Sequence, residues 1–566
     1  MAVTTWPSLV FFLVLLSVVF SAEEKDLVER LAKSSAAIKT TLSTLRERWS
    51  VEKYPLFLAS AAMTHSAWEL LKVKLQKKIL QSFLDGKRSS FVISFMGSSV
   101  TAGHDSPQNR TFPDMTGQLM SKAFEPLEVS LITRNAAQGN NPCMPYDLCV
   151  RPFAGSDADI VHWEQQFNCW DSNWNWGYEQ FIRQAQMLPN RPLVVFAESS
   201  TPNWGDKECK PGGEDGKQPP LPTSHTVTAD EKELLAALDS DSPKKIATDI
   251  VFRRFKNHFE FLSKLTQAYK TAGGVQWFRS QEYYPVYKCL GPYNAKWGCC
   301  SASWHPSLLG HELRASHHTF HWLLVLQDAV ADLTSKLAGG SAKAVLEGVD
   351  KHLEHAHKHI PPKPLYPQEP QIVDGLQCFS DYEPRYERGD DLLSRVVGDS
   401  VTKTNGWSRL MFELLLPDGK NVVKLHREKN GNLDRRWLLA STKAKDSGPL
   451  NINIHVQNDG PSFICSPPGE WGNLPAGYKN FWTVDTEMYL TENTGDIRSK
   501  PDATTAAAFT FDPSKATKFS YTNRKPKDTQ TVCVDFDKHF PKGHHVLSVV
   551  PKHDTENIMI GLLLVA

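Results

Sequence analysis

One stretch of sequence decides the fold: FVISFMGSSVTAG, from Phe91 to Gly103. Its first half, Phe91–Met96, is a short apolar run that predicts a buried strand. Gly97 and the two serines after it form a turn that leads from this strand into a predicted helix. A serine at such a turn lies beside exposed backbone N–H groups, which can stabilise an oxyanion. The turn is therefore a candidate catalytic element, although Thr101 stands where the G-x-S-x-G nucleophile elbow has its second glycine.

Strand and helix patterns alternate along the chain after this stretch. Alternation of this kind indicates an α/β domain, in which a mostly parallel sheet is covered by helices on both faces. The further predicted strands are Val129–Thr133, Asp159–Trp163, Leu193–Ala197 and Val275–Phe278, and the predicted helices are Trp176–Leu188, Ile246–Ala272 and Ser307–Leu337.

The remainder of the chain predicts additional units on either side of the α/β domain. Before it, apolar residues at spacings of three and four predict a helical segment. After it, a charged helix leads into a proline-rich linker, and apolar/polar alternation with frequent turn signals then predicts an all-β sandwich. The predicted division is a signal peptide at 1–22, the helical segment at 23–87, the α/β domain at 88–340, the His-containing helix and linker at 341–370, and the β-sandwich at 371–566.

The charge of the chain argues against a nucleic-acid partner. Among 566 residues, 63 are Lys or Arg and 63 are Asp or Glu, so the chain has no basic field to attract a nucleic acid.

We expect no cofactor and no resident metal. His355 and His359 share one face of a helix, but a solvated helix before a linker is the favoured interpretation of that spacing.

The N-terminus carries a predicted targeting signal. The run Leu9–Phe20 has the length of a secretory h-region and is followed by Ser21 and Ala22, small residues suited to cleavage. An uncleaved signal anchor is the alternative, because the n-region has no Lys or Arg. We therefore expect a secreted or lumenal protein with no stable membrane span after cleavage.

Cysteine usage agrees with the secretory route. The ten cysteines divide into seven between Cys143 and Cys300 and three nearer the C-terminus. Since both counts are odd, either one disulfide joins the two regions or two thiols stay free. A secreted chain can also be glycosylated at Asn109, which begins an Asn-Arg-Thr sequon.

A second candidate catalytic element follows the last predicted strand. His305 precedes Pro306 and Ser307, which begin a predicted helix. A histidine on such a loop can project at the rim of the sheet and take a proton from a serine. His311, inside the same helix, is predicted to pack in the core.

With these two elements in order, residues 89 to 335 resemble the GDSL/SGNH hydrolase superfamily, which comprises esterases, lipases and acetylesterases with a flavodoxin-like three-layer fold. The segment Gly97–Val100 corresponds to the Gly-Asp-Ser-Leu block of the family. The resemblance makes Ser99 the expected nucleophile and Ser98 the substitute for the usual aspartate. It also makes the Ser99 backbone N–H an oxyanion donor.

The other blocks of the family follow at matching strand ends. The segment Asn135–Gly139 resembles the second block and makes the Gly139 N–H a further oxyanion donor. The third block places Asn168 on the oxyanion asparagine, although Gln166 and Cys169 replace the usual glycine and aspartate. The last block, Asp-x-x-His-Pro, is matched by His305 and the proline after it.

The last block departs from the family at one position. Ala302 stands where the acid that orients the imidazole is expected. Three interpretations stay open. A Ser99/His305 dyad suffices, with a backbone carbonyl holding the ring; a carboxylate from elsewhere, such as Glu198, takes the place of the acid; or the domain has lost catalysis.

Aromatic residues suggest the class of substrate. Trp170, Trp174 and Trp176 follow the third block, and Trp204 follows the fourth strand. Indoles interleaved with Asn and Asp suit a sugar-binding cleft, while the alternative is that they pack around a Cys169 disulfide. The favoured function is an esterase that removes O-acyl groups, with O-acetyl as the first choice, from a small molecule or glycan.

Two functions from other classes compete with the esterase. The first is a catalytically weak or inactive SGNH-fold protein that binds glycans, and the second is a lumenal O-acyltransferase that uses the same serine. The natural acyl group and the oligomeric state have no signature in the sequence.

Overall fold

The structure is a computed structural model, and the description below is confined to part of the chain. The described residues are 22–49, 61–103, 108–139, 143–165, 174–199, 244, 248–249, 260–278, 306, 308–357, 360–367, 374–387, 389, 391–397, 401, 406–412, 435–442, 447–466, 478–480, 486–492, 509–511, 518–519, 532–536, 539–551 and 557–566.

The first part of the chain alternates helices with strands. The helices are α1 (Ala22–Arg48), α2 (His65–Leu84), α3 (Ser99–Ala102), α4 (Phe112–Phe124), α5 (Cys143–Tyr146), α6 (Val150–Ala154), α7 (Trp174–Gln186), α8 (Glu260–Ala268), α9 (Leu308–Leu337) and α10 (Ala342–Ala356). The strands are β1 (Ala61–Ala62), β2 (Ser89–Gly97), β3 (Val129–Asn135), β4 (Ile160–Glu164), β5 (Leu193–Ser199) and β6 (Ala272–Phe278).

These strands form one sheet in the order β1-β6-β5-β4-β2-β3 within the described residues. Strands β2 to β6 pair in parallel, whereas β1 pairs antiparallel with β6. The prediction of a mostly parallel α/β sheet is confirmed. All of β4 is buried, which fits a central strand covered on both faces.

Two elements differ from the predicted pattern. The segment 23–87 was predicted to be helical, but Ala61 and Ala62 form an edge strand between α1 and α2. Two alanines carry no apolar period, so only pairing with β6 shows that they are extended. The helix predicted to extend to Ala272 ends at Ala268, because the chain turns there into β6 and its pair of glycines.

The strand order reverses between β2 and β4, which is where open α/β sheets have a crevice at the carboxyl ends of their strands. From β2 the chain crosses to β3 on one side, and then returns past β2 to β4 on the other. Ligands of open α/β sheets bind where the order reverses in this way, since the loops diverge there. The last residues of the two strands, Gly97 and Glu164, are register partners. The predicted catalytic turn therefore begins at this crevice.

Helix α9 brings several histidines into the core. It packs against α1, α2 and α4, and its buried histidines lie close to His162 of β4. The ring of His318 stacks on Phe112 at 5.6 Å and lies 4.9 Å from His162, centroid to centroid. The prediction that His311 packs in the core is confirmed, because its side chain is buried and its Nδ1 accepts a 3.2 Å bond from the Phe112 N–H.

The second part of the chain is all β apart from a short 3-10 turn, within its described residues. Its strands are β7 (Gln377–Ser380), β8 (Tyr382–Glu383), β9 (Trp407–Phe412), β10 (Arg435–Ser441), β11 (Leu450–Val456), β12 (Phe463–Ser466), β13 (Tyr478–Asn480), β14 (Thr486–Glu492), β15 (Phe509–Phe511), β16 (Lys518–Phe519), β17 (Val532–Asp535), β18 (Gly543–Pro551), β19 (Asn557–Ile560) and β20 (Leu562–Val565). They form three sheets in which all pairs except β13–β19 are antiparallel. Alternate residues such as Ile452 and Leu547 form a core of their own.

The two parts of the chain are joined covalently and by packing. A disulfide links Cys149, just before α6, to Cys378 on β7, and a second links Cys465 to Cys533. A bridge thus joins the two cysteine-containing regions, which was one of the two arrangements expected. Residues of the second part, Leu376 and Tyr382 among them, belong to the same buried cluster as the α/β core.

The predicted signal peptide, histidine pair and glycosylation site lie only partly within the described residues. The signal-peptide run Leu9–Phe20 lies outside the described residues, and so does His359. Asn109 is exposed on a short 3-10 turn. Within the described residues no helix combines the length and apolarity that crossing a membrane requires.

The buried histidines predict an acid-sensitive fold. Burial lowers the pKa of His318 to about 3 and that of His321 to about 4, whereas an unfolded histidine titrates near pH 6.5. Below pH 6.5 the histidines of the unfolded chain bind protons, whereas the buried histidines of the folded chain stay neutral. The free energy of unfolding therefore falls as the pH falls. Each such histidine contributes up to about 1.4 kcal/mol per pH unit. The measurement is urea unfolding at pH values from 7 to 4.

The variant His321→Leu provides the control for this expectation. It removes a buried ring whose pKa is lowered by burial alone, and it should flatten the pH dependence between 6.5 and 4. An identical dependence in the variant and the wild type would contradict the proposed origin of the acid sensitivity.

Candidate active site at the carboxyl edge of the sheet

The turn after β2 is tightly built. Ser98 is the N-cap of the four-residue α3, and Gly103 ends that helix with a φ of +76°. A Cβ on Gly97 would lie 2.3 Å from the Thr101 hydroxyl oxygen and 2.9 Å from the carbonyl oxygen of Glu164. Position 97 therefore requires glycine, because a side chain there would separate β2 from α3 and β4.

The two adjacent serines have different environments. Ser98 is 3% exposed, and its hydroxyl donates a 2.7 Å bond to Oε2 of Glu164 while accepting a 3.2 Å bond from the Val100 N–H. Ser99 is partly exposed at the surface of the crevice. Of the two serines, Ser99 is the more exposed and is the first residue of α3, so Ser99 is the candidate nucleophile.

The side chain of Glu164, at the end of β4, holds the turn in place. Its side chain is 1% exposed, and its Oε2 accepts bonds from Ser98 and, at 3.0 Å, from the Thr101 hydroxyl. Burial raises the pKa of this carboxyl, while the positive charge of Arg314 and the two hydroxyl donors act in the opposite direction. Sequence reasoning missed Glu164, although a charged residue that directly follows an apolar strand run was an available signal.

The segment Asn135–Gly139, called the oxyanion loop here, lies beside this turn. The backbone N–H of Gln138 donates a 3.0 Å bond to the carbonyl of Gly97. The Asn135 side-chain amide donates a 3.0 Å bond to the carbonyl of Thr101. The loop is thus tied to both ends of the turn that carries Ser99, and Gly139 is buried at its end. Two of the predicted oxyanion donors lie in segments that the structure brings together.

Several predicted site residues lie outside the described part of the chain. The structure says nothing of the side chain of Trp174, whose backbone begins α7. The residues outside the description are Asn168, Trp170, Trp204, Ala302 and His305.

The first turns of α9 lie close to the turn that carries Ser99. Arg314, in the second turn of α9, is buried and lies close enough to act on the charge of Glu164. His311 accepts a bond from the backbone of Phe112 at the start of α4. The first turns of α9 therefore lie near the Ser99 turn, and His305 precedes this helix by three residues.

Two further predicted residues have definite places. Trp176 is 4% exposed and belongs to the core cluster. Its indole is therefore not an exposed stacking surface. Glu198 lies near the carboxyl end of β5, with Trp277 of β6 as its register partner.

The fold and the turn together define a class of protein: an α/β protein with an accessible serine at the carboxyl edge of a parallel sheet, joined to a β-rich part. No protein-family model and no curated protein matches the chain. Among solved structures, it is similar to the crystal structure of a two-domain esterase active on acetylated mannans, with 11% identity and a TM-score of 0.35. A second structure of that esterase, co-crystallised with mannopentaose, gives a TM-score of 0.36. Each similarity covers 86% of this chain and 94% of the other.

The support that Glu164 gives to the turn can be tested by Glu164→Gln. The change keeps the size of the side chain but replaces the carboxyl group that accepts the bonds of Ser98 and Thr101 by an amide. We expect the free energy of unfolding to fall by about 2 to 4 kcal/mol, measured by urea denaturation at pH 7.

Thr101→Ser is the matched control, because it keeps the hydroxyl that donates to Glu164. It should stay within about 1 kcal/mol of the wild type. Equal stability of Glu164→Gln and the wild type would show that the carboxylate does not support the turn.

Proposed function

We propose that the protein is a serine esterase of the SGNH type that hydrolyses O-acyl esters, with O-acetyl groups on a glycan as the substrate class. One observation carries the proposal. Ser99 is accessible at the switch point of the sheet, while its neighbour Ser98 is buried against Glu164 and the oxyanion loop is bonded to the same turn. The strand order supports a flavodoxin-like three-layer domain. For the β-rich part, we propose a sandwich.

The proposed reaction is acyl transfer to water. His305 takes the proton of Ser99, whose oxygen attacks the ester carbonyl, and the resulting oxyanion accepts bonds from the N–H groups of Ser99 and Gly139 and from the amide of Asn168. His305 then gives the proton to the leaving alcohol. A water molecule, deprotonated by the same imidazole, attacks the acyl-enzyme and releases the acid and the free serine.

The missing acid leaves a dyad as the favoured arrangement. Ala302 supplies no carboxylate, and Glu164 is already engaged by Ser98 and Thr101. A backbone carbonyl that holds the imidazole is the first choice. Glu198, near the end of β5, is the second, because that strand end faces the same edge of the sheet.

A glycan substrate is supported by the loops that follow β4 and β5. The sequence after these two strands carries Trp170, Trp174 and Trp204, and in open α/β sheets the residues that follow the carboxyl ends of the strands bind the ligand. Indole faces at such a rim stack on sugar rings. The buried Trp176 has no part in this surface.

A secreted or lumenal location is part of the proposal. The two disulfides suit an oxidising compartment, and the exposed sequon at Asn109 is open to glycosylation. The predicted signal peptide at 1–22 provides the route.

The nucleophile can be tested with a fluorophosphonate probe and two esters, 4-nitrophenyl acetate and an acetylated polysaccharide. Wild-type protein should label and release acetate from both. Ser99→Ala should lose labelling and at least about 1,000-fold in turnover, as expected when a nucleophile is removed.

Ser98→Ala is the matched control, one residue away. It should still label, with slower turnover because the N-cap is lost. A folded wild-type protein that binds the glycan but neither labels nor turns over would favour the non-catalytic binding function. Transfer of the acyl group to a sugar acceptor in place of water would favour the acyltransferase.

The role of His305 predicts a pH dependence of turnover. The imidazole acts as a base only when it is neutral, so kcat/KM should fall below about pH 6 to 6.5. Circular dichroism at each pH separates this limb from acid unfolding of the core. A flat profile from pH 7 to pH 5 in protein that stays folded would contradict the assignment of His305.

A further inference from the structure

A short segment of the β-rich part lies directly against the oxyanion loop. This docking segment, Tyr382–Glu387, begins with β8 at the edge of its sheet. Within the described residues β8 pairs with one strand, β10, through Arg435 and Arg436. The backbone groups of an edge strand are available to another partner, and the oxyanion loop is that partner here.

The docking segment reaches both ends of the oxyanion loop. The side-chain amide of Gln138 donates a 2.6 Å bond to the carbonyl of Glu383. The hydroxyl of Tyr386 donates a longer bond, 3.4 Å, to the carbonyl of Asn135. Gln138 is fully buried between these contacts. The loop therefore has one neighbour on the Ser99 turn and another on the β-rich part.

The docking segment is itself firmly attached to the α/β part. The backbone N–H groups of Tyr386 and Glu387 donate bonds of 2.8 and 3.2 Å to the carbonyl of Pro152. The Glu387 carboxylate accepts a 2.8 Å bond from the Ser156 N–H. The guanidinium of Arg134 lies over the ring of Tyr386, 5.1 Å from its centroid. These contacts give the segment one position relative to β3 and α6.

A covalent bond and a shared core hold the same junction. The disulfide Cys149–Cys378 crosses it just before the docking segment begins. Tyr382 and Leu564 lie in one buried cluster with Trp163 of β4. The β-rich part is therefore fixed against the catalytic crevice, whereas a module attached only through a linker would move independently.

We propose that the docking segment is a positioning element of the oxyanion hole. This inference rests on the proposed esterase function. Gln138 transmits the effect: its backbone N–H bonds to Gly97 beside the nucleophile, while its side chain bonds to Glu383. The next N–H along the chain is that of Gly139, the proposed oxyanion donor. The docking segment sets the direction of that N–H without touching the substrate.

The experiment compares two variants of the full-length protein, both at the junction. Gln138→Met keeps the length of the side chain and removes the donor to Glu383. Asp374→Asn weakens the bidentate pair with Arg183 of α7, which joins the two parts away from the oxyanion loop. Steady-state hydrolysis of 4-nitrophenyl acetate and the melting temperature are measured for each.

A positioning role predicts a separation of kcat from stability. Gln138→Met should lose about 10- to 100-fold in kcat with KM changed less than about 3-fold, the pattern of a misplaced transition-state donor. Asp374→Asn should keep kcat within about 2-fold of the wild type, even where its melting temperature falls as far as that of Gln138→Met. If Gln138→Met does not fold, Tyr386→Phe is measured instead, with a smaller loss of kcat expected.

The outcomes separate this inference from the proposed function. An active wild type whose Gln138→Met variant, or Tyr386→Phe in its place, keeps the wild-type kcat overturns the positioning role and leaves the esterase standing. Equal losses of kcat in the Gln138 variant and Asp374→Asn overturn it as well, because the junction would then act through stability alone. A wild type without labelling at Ser99 overturns both.

Discussion

The buried carboxylate of Glu164 is the interaction on which the catalytic end of this molecule depends. It ends β4 next to the turn that follows β2, and its Oε2 accepts hydrogen bonds from the hydroxyls of Ser98 and Thr101. Burying a carboxylate away from water is unfavourable unless hydrogen bonds or opposite charges offset the lost hydration. Here the two hydroxyls and the positive charge of Arg314 on α9 act in that direction. Strand β4 and the turn that carries Ser99 are thereby fixed with respect to one another.

This arrangement accounts for a departure from the GDSL/SGNH pattern. The family block that Gly97–Val100 resembles has an acid before its serine, and here that position is Ser98. The structure places a carboxylate at the same turn from β4 instead of from the turn itself. The oxyanion loop is likewise held by distant residues, because Gln138 bonds to Gly97 through its backbone and to Glu383 of the β-rich part through its side chain. The turn that carries Ser99 and the loop that carries Gly139 are each bonded to residues from a distant part of the chain.

Much of the α/β architecture could be predicted, because buried parallel strands are short apolar runs between amphipathic helices. The runs that begin at Phe91 and Val129 are strands β2 and β3, and the crevice is where their order implies. The prediction failed where local pattern carries no information. Ala61 and Ala62 have no periodicity, and whether Trp176 is exposed depends on what packs over it. Ser99 was a prediction from a short block, and its exposure supports the choice over Ser98.

The amino-acid sequence by itself determined the order of most strands and helices, the serine turn after β2, the odd number of cysteines in each region and the balance of 63 basic against 63 acidic residues. These properties are local or additive, so they can be read along the chain. The tertiary structure alone decided which serine is accessible, that Glu164 lies under the turn, that Cys149 pairs with Cys378, and that Glu383 meets Gln138. The last three of these join residues between 66 and 245 positions apart. Such pairs form only when the whole chain has packed, because no local preference favours one distant partner over another.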